Sequence, residues 1–468
     1  MGGHIPESGA DARPPKEKAP GPWRAGRETL RHHDGRGMRD RPGRAGKGSM
    51  PKVAVIGAGI AGVTTAYQLL DSGAEVTVID RHAHPAMETS FANGGQLSAS
   101  NAEVWNSWGQ VWKGLKWMLR ADAPLLLRPA PTWHKLSWLA EFLRAIPRYE
   151  QNTVTTARLA IEARAHLLDM AEREGIDFDM VRRGILHVYR DKAGLDHATR
   201  VTALLRQGGL ERDPVGPAEI AAIEPTLGGE FAGGFFTPSD FTGDIRKYTA
   251  GLARAVRRRG GTVRLDTEVL SAAADGAGVE LGLRRDGATG RERFDAVVVC
   301  AGVGSRRLAA LLGDRVNVYP VKGYSVTVNL HDDESQAAAP WVSLLDDAAK
   351  VVSSRLGPGR FRIAGTAEFA GEDRDIRDAR IRPLVAWCRR HFPGVSTRDV
   401  VPWAGLRPMM PDMLPRVMPG RRPGVFYNTG HGHLGWTLSA ATARMAADLV
   451  MGHGAGRRLH PVAPAKVA

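Results

Sequence analysis

"KVAVIGAGIAGVTTAYQLLDSGAEVTVID" occupies residues 52–80. A β-branched run leads into a glycine turn, then into helically spaced apolar residues, then into a second β-branched run closed by an acid. Gly57, Gly59 and Gly62 form G-x-G-x-x-G, and Asp80 stands about 20 residues beyond, as a dinucleotide-binding strand–turn–helix–strand unit requires. Gly57 permits the tight turn. Gly59, followed by Ile60 and Ala61, lets backbone N–H groups approach a pyrophosphate, and Gly62 lets the helix lie against the strand. The helix N-terminus adds partial positive charge for the phosphates. Asp80, with Arg81 beside it, is placed to accept hydrogen bonds from a ribose diol, which argues against a 2'-phosphate; its plainer reading is a cap for the following loop.

The next stretch, "METSFANGGQLSASN" (87–101), is no second strand–helix unit. It is a small-residue loop in which Ser90, Asn93, Gly94, Gly95 and Gln96 can lay backbone donors along a flat ligand. Further on, "TPSDFTGDIRKYTAGLARAVRRRGGTVRLDTEVLS" (237–271) predicts a helix from about Ile245 and a strand ending at Val269–Leu270. "FDAVVVCAGVGSRRLAALL" (294–312) predicts a buried strand, a turn at Ala301–Gly302 and a helix. "GVFYNTGHGHLGWTLSAATARMAADLV" (424–450) predicts a strand, a loop through Gly430, His431, Gly432, His433, Leu434 and Gly435, and a helix from near Trp436. An anion facing that helix N-terminus is stabilised, which suits a flavin, negative near N1 and its C2 carbonyl when reduced, better than a nicotinamide. His431 and His433 lack a third ligand in metal spacing and read as loop hydrogen bonders, so no metal is expected.

The α/β layer is thus interrupted and resumed, which predicts a nucleotide domain in discontinuous pieces (50–98, 150–175, 238–315, 400–453). A second domain is then built from 99–149, 176–237 and 316–399. Residues 1–49 have no apolar period and read as a disordered basic extension, and 454–468 as a tail. Of the net +14, eleven Lys/Arg against six Asp/Glu in residues 1–49 leave +9 on the remainder, spread without one obvious run. A nucleic-acid partner is therefore not implied. Cys300 and Cys388 stand in no metal or redox spacing, and the chain reads as cytoplasmic without disulfides. No run approaches the roughly eighteen apolar residues of a spanning helix. Residues 105–138 hold six of the eleven tryptophans, Trp105, Trp108, Trp112, Trp117, Trp133 and Trp138, with Lys113, Lys116 and Arg120 close by. This is either a core between helices or a surface that rests on a membrane interface.

In "WAGLRPMMPDMLP" (403–415), Arg407 sits among Trp403, Leu406, Pro408, Met409 and Met410. A guanidinium there needs an anion or carbonyls, and its planar fork matches a carboxylate; an internal salt bridge is the plainer alternative.

Six motifs taken in order, "VIGAGIAGV", "METSFANGGQLS", "DFTGDIRKYTAGLA", "PVKGYSVTV" (320–328), "WAGLRPMMPDMLP" and "NTGHGHLGWTL", resemble the D-amino-acid dehydrogenase small-subunit family, within the wider D-amino-acid oxidase and glycine oxidase superfamily. The resemblance runs from about Met50 to about Gly452. It implies an α/β fold with a Rossmann-like FAD-binding domain and a substrate domain carrying a mixed or antiparallel sheet over the flavin. It also implies oxidation of a D-amino acid such as D-alanine to an imino acid, which water converts to a 2-oxo acid and ammonia. Electrons would pass to a membrane quinone or respiratory acceptor, with peripheral contact at the cytoplasmic face of the inner membrane. Arg407 matches the arginine that clamps the substrate carboxylate, so that Cα–H lies over flavin N5. No cysteine lies in the C-terminal flavin loop, so the FAD is expected to be non-covalent.

Two departures bear on specificity. His433 stands where glycine oxidases carry a second arginine and many dehydrogenases a small residue, so it would narrow or polarise the pocket mouth. Ala349 replaces a tyrosine before Lys350; Tyr324 would supply the phenol, or is simply a packed strand residue. The alternative enzyme is a glycine- or sarcosine-type secondary-amine oxidase, betrayed by hydrogen peroxide and indifference to D-alanine. An RNA-modifying flavoprotein would suit the charge but lacks an RNA-binding motif. A non-enzymatic FAD carrier would hold a flavin that no amine reduces.

Overall fold

The computed structural model describes residues 50–117, 125–127, 131–453 and 459. The predicted extension 1–49, the tail apart from Leu459, Arg120, and the side chains of Lys113, Lys116 and Trp117 lie outside what is described.

Six strands form the first sheet in the order Arg416–Pro419, Val425–Thr429, Ala296–Val299, Lys52–Ile56, Glu75–Ile79, Thr262–Arg264. All neighbours are parallel except the outermost pair, Arg416–Pro419 with Val425–Thr429. Sequence reading anticipates this sheet because its central strands are buried on both faces and so read as unbroken apolar runs. Val53 and Val55 join a core with the helices Ile60–Asp71, Tyr149–Glu174, Ile245–Arg258 and Gly435–Met451, while Ala54 and Ile56 face the opposite core. Ala440, Ala441, Ala443, Ala446 and Ala447 are all buried, and such small side chains let helix Gly435–Met451 lie close against Ile60–Asp71.

The strand expected to end at Val269–Leu270 is two strands. Thr262–Arg264 closes the parallel sheet, and Thr267–Ala274 opens a separate antiparallel sheet with Val279–Arg285 and Ala288–Phe294. Asp266, with φ of 51°, makes the corner between them.

The larger sheet is mixed, running Val400–Met409, Tyr319–Asn329, Arg360–Phe369, Val351–Arg355, Ser343–Asp346, Ile185–Tyr189, Gly233–Thr237, Asp213–Val215, with Leu125–Leu127 beside Arg360–Phe369. Strand Val400–Met409, in the stretch 400–453 that the sequence division gives to the nucleotide domain, pairs along ten positions with Tyr319–Asn329. Its closeness in sequence to the C-terminal flavin loop hides this, because the pairing partner lies about eighty residues upstream. Helix Asp378–His391 covers one face through Leu384, Trp387 and Cys388.

Candidate active site

A cavity of ≈ 680 Å³ lies between the glycine-turn end of the first sheet and one face of the second. It is within the range of small-ligand sites, and its walls come from all the motifs quoted above.

The cofactor half starts at the glycine turn. Gly57 has φ of 113°, and a Cβ there would lie 2.6 Å from the Cys300 carbonyl oxygen. A Cβ on Gly62 would lie 1.8 Å from the Gly57 carbonyl oxygen, so helix and turn touch backbone to backbone. Gly59 differs: its Cβ would meet only Ser90 Oγ at 3.5 Å. Among the described residues nothing requires glycine at 59, and the space beside it is part of the cavity. The helix from Ile60 begins with no side-chain cap and no acidic residue in its first turn, leaving its positive end for an anion. Ser90 Oγ accepts from Ile60 N at 3.1 Å and so ties the second loop to the turn.

Asp80 makes the contacts of its plainer reading, a cap for the following loop. Oδ2 accepts from Ala58 N at 2.6 Å and Oδ1 from His82 N at 2.8 Å, so it braces the turn and caps the following loop. A carboxylate has further lone pairs, and Asp80 lines the cavity, so a ribose diol can still be accepted. Arg81 pairs with Glu88 at 2.7 Å. Burial raises Glu88, but hydrogen bonds from Arg374, Arg81 and His82 outweigh it and hold the carboxyl at about 2.

Four consecutive carbonyls of the small-residue loop are drawn off by other groups. Ala92 O accepts from Ser325 Oγ (2.8 Å), Asn93 O from Arg362 Nη1 (3.0 Å), Gly94 O from Ser354 Oγ (2.7 Å) and Gly95 O from Gly243 N (2.9 Å). Gln96 Nε2 donates to Ser343 Oγ at 2.8 Å. The second sheet therefore holds this loop with its acceptors engaged, and a flat ligand meets donors. Val269, Ala301 and Gly302 line the same cavity, with the Val269 carbonyl accepting from Arg307 at 3.0 Å. The loop Gly430–Gly435 closes it. Gly430 and Gly432 have positive φ, and a Cβ on either would lie within 3 Å of Met410 or Met409. Helix Gly435–Met451 starts there, again with no side-chain cap and no acid in its first turn.

The other half of the cavity is centred on Arg407. Its one hydrogen bond among the described residues runs from Nη1 to the Thr366 carbonyl at 2.9 Å, and no carboxylate pairs with it. The internal salt bridge that sequence reading left open is absent there. Among the described residues Nε and Nη2 carry no partner, so that side of the fork is free for the cavity that Arg407 lines. Burial lowers Arg407 to about 10, which leaves it cationic at neutral pH.

His433 stacks on Trp105, with ring centroids 5.0 Å apart, and Nε2 lies 3.4 Å from the Asn101 carbonyl. Burial, then Arg407, pulls its pKa down to about 4; burial does the same to His431, which bonds Thr442 Oγ1 at 2.9 Å. Tyr324 lines the cavity, and its buried phenol donates to Glu368 Oε2 at 2.9 Å, which pushes its pKa up together with burial.

Sequence reasoning missed Gly323, Thr366 and the wall residues Glu103 and Asp347. Gly323 lies inside the quoted "PVKGYSVTV", but its place beneath Arg407 depends on strand pairing that local patterns do not report. The tryptophan segment is split. Trp138 is core, donating from Nε1 to the Met409 carbonyl at 2.9 Å, whereas Trp108, Trp112 and Trp133 are 60%, 63% and 83% exposed. One segment thus contains both a core and an apolar surface.

The histidine shifts predict a pH dependence. Folded values near 4 lie below the ordinary 6.5, so between these pH values the unfolded chain binds protons that the folded chain refuses. Their contribution is complete above pH 6.5 and is lost as the pH falls towards 4. Thermal midpoints measured across that window should fall, and His433→Gln should flatten the fall. A slope unchanged by the substitution would contradict a neutral buried His433.

Comparison with known proteins agrees with this geometry. Residues 52–449 match the family model described as FAD dependent oxidoreductase. A protein named D-amino acid dehydrogenase 3 from Mesorhizobium japonicum is 62% identical over 401 residues, covering 86% of this chain and 97% of its own. A D-amino acid dehydrogenase of Paramagnetospirillum magneticum is 45% identical, covering 86% and 95%. Among solved structures, glycine oxidase from Geobacillus kaustophilus superimposes with a TM-score of 0.69 at 23% identity, covering 89% of this chain and 97% of its own. That likeness shows the fold. The chain belongs to the FAD-dependent oxidoreductases, and within them to the D-amino acid dehydrogenase family. FAD is its cofactor, and the open space at Gly59, the two uncapped helix ends and the donor-lined loop fit that group.

Proposed function

We propose that the protein deaminates D-amino acids oxidatively, giving 2-oxo acids and ammonia, with electrons passing to a quinone or respiratory acceptor. The observation that carries this reading is Arg407, a cavity-facing cation with no carboxylate partner among the described residues and an open fork. The names of the most similar relatives support the substrate class.

Arg407 binds the substrate carboxylate through the one free edge of its guanidinium, Nε and Nη2, and this bidentate grip fixes the orientation of Cα. When bound, FAD would supply the two-electron sink for oxidation at Cα. The wall of Trp105 and His433 limits how the side chain lies. Neutral His433 carries no positive charge to repel the amine. No side-chain base is needed when the amine reacts in its neutral form.

The exposed Trp108, Trp112, Trp133, Leu136 and Leu143 support the acceptor assignment. They belong to the helices Trp108–Trp117 and Trp133–Ala145, whose Gln110, Val111, Leu139 and Phe142 line the cavity. An amphipathic indole surface there suits the headgroup region of a bilayer at the cytoplasmic face, where a quinone is available. No helix among the described residues is long and apolar enough to cross a membrane.

Turnover of D-alanine with a soluble quinone should therefore exceed turnover with oxygen alone and produce little peroxide. The protein should also sediment with anionic vesicles, and replacing Trp108, Trp112 and Trp133 by serine should weaken that about tenfold, since such binding scales with buried apolar area. Stoichiometric peroxide, or vesicle binding indifferent to the three indoles, would overturn the acceptor assignment.

A further inference from the structure

Strand Tyr319–Asn329 pairs on one side with Val400–Met409, setting Gly323 opposite Gly405 and Val321 opposite Arg407. Two glycines face each other across the ladder, and both support large flat groups. A Cβ on Gly405 would lie 2.0 Å from the Trp403 ring. One on Gly323 would lie 2.4 Å from Cζ, Nη1 and Nη2 of Arg407 alike, so the guanidinium lies flat on the Gly323 backbone.

On its other side the same strand meets Arg360–Phe369, and there the register slips. Lys322 pairs with Glu368 and Tyr324 with Gly365, so Gly323 alone faces both Thr366 and Ala367. The extra residue is a β-bulge, a feature that re-aims groups beside active sites. Thr366 adopts φ of 62°, a region that β-branched residues avoid. Its Oγ1 is buried without a hydrogen-bond partner. Neither the strain nor the unsatisfied hydroxyl helps the sheet. What this conformation does provide is the Thr366 carbonyl, 2.9 Å from Arg407 Nη1.

We infer that Gly323 and the Thr366 bulge are positioning residues that aim Arg407: the glycine seats the guanidinium, and the turned carbonyl holds one edge so that the other faces the substrate. This rests on the reading of Arg407 as the carboxylate ligand. Seat and stop act together, since a guanidinium lying flat on Gly323 can still rotate in its plane, and the carbonyl removes that freedom. The arrangement also explains why a residue as ill-suited as threonine stands at positive φ, because any other backbone conformation would turn the carbonyl away.

The test is a double-mutant cycle on FAD-loaded protein, read as the dissociation constant of pyruvate, a 2-oxo acid carrying the same carboxylate, from the change in flavin absorbance. Gly323→Ala should weaken pyruvate binding about tenfold or more in the presence of Arg407, since small misplacements of orienting groups have effects of that order. In the Arg407→Ala background the same change should cost less than about twofold, because the group it displaces is gone. Thr366→Gly, which frees the carbonyl to rotate, serves as the second arm should Gly323→Ala yield no soluble holoprotein. Its roughly threefold or larger loss should likewise vanish without Arg407. Equal losses in both backgrounds would overturn the inference and leave Gly323 and Thr366 as structural residues. Arg407→Ala binding pyruvate as tightly as the parent would instead sink the carboxylate reading, and this inference with it.

Discussion

Arg407→Ala is expected to keep its FAD and to lose kcat/KM by about two to three orders of magnitude, mostly through KM. The size follows from what is removed. Two charge-assisted hydrogen bonds to a carboxylate contribute about 1.5–3 kcal/mol each, and at 1.4 kcal/mol per decade their loss amounts to at least a hundredfold. The direction follows from where Arg407 points. Among the described residues its only hydrogen bond is to the Thr366 carbonyl, and the cofactor turn is built from other residues, so the substitution leaves that turn's own contacts in place. Arg407→Lys should recover only part of the loss, since an ammonium cannot present two parallel donors. Steady-state kinetics beside the flavin-to-protein ratio reads both quantities. A variant that sheds FAD while binding substrate normally would contradict the assignment.

Gly59→Val should fold and hold almost no FAD. Gly59 has φ of −75° and ψ of 178°, extended geometry that a β-branched residue adopts readily, and its Cβ would make only an ordinary contact with Ser90 Oγ. The side chain would project into the space left for the pyrophosphate and keep it from the backbone N–H groups at the helix start. We expect affinity for FAD to fall at least about a hundredfold, the loss of several charge-assisted hydrogen bonds, with the circular dichroism spectrum unchanged. Gly62→Ala makes the useful contrast, because the added Cβ would strike the Gly57 carbonyl and should damage the turn itself. Parent-like FAD content in Gly59→Val would show that the phosphates lie elsewhere.

These two positions differ in how far the sequence revealed them. The glycine turn was legible because its chemistry is local: strand, turn, helix and acid fall within thirty residues, and each has a fixed spacing. The C-terminal loop and the helix starting near Trp436 were legible for the same reason. Arg407 stood out only because a guanidinium among apolar residues needs an explanation. Its surroundings were not legible, since Gly323 and Thr366 reach it through strand pairing across some forty to eighty residues, and period-2 patterning does not say which strands meet. The pairing of Val400–Met409 with Tyr319–Asn329 is hidden for the same reason. The positive φ of Thr366 carries no sequence signal at all, because threonine predicts the opposite. Asp80 shows a further limit. Spacing identified the residue but not that one carboxylate braces the turn, caps a loop and lines the cavity together. The tryptophans were ambiguous because a helix with indoles on more than one face can bury some and expose others, as Trp138 and Trp133 do.

Anaerobic mixing of the purified yellow protein with D-alanine, L-alanine and sarcosine in turn, followed by flavin absorbance, bears most directly on the proposed chemistry. Bleaching by D-alanine, with neither L-alanine nor sarcosine effective, is the predicted result. Bleaching by sarcosine alone would move the protein to secondary-amine oxidation, and a flavin that none of the three reduces would contradict D-amino-acid deamination at this site.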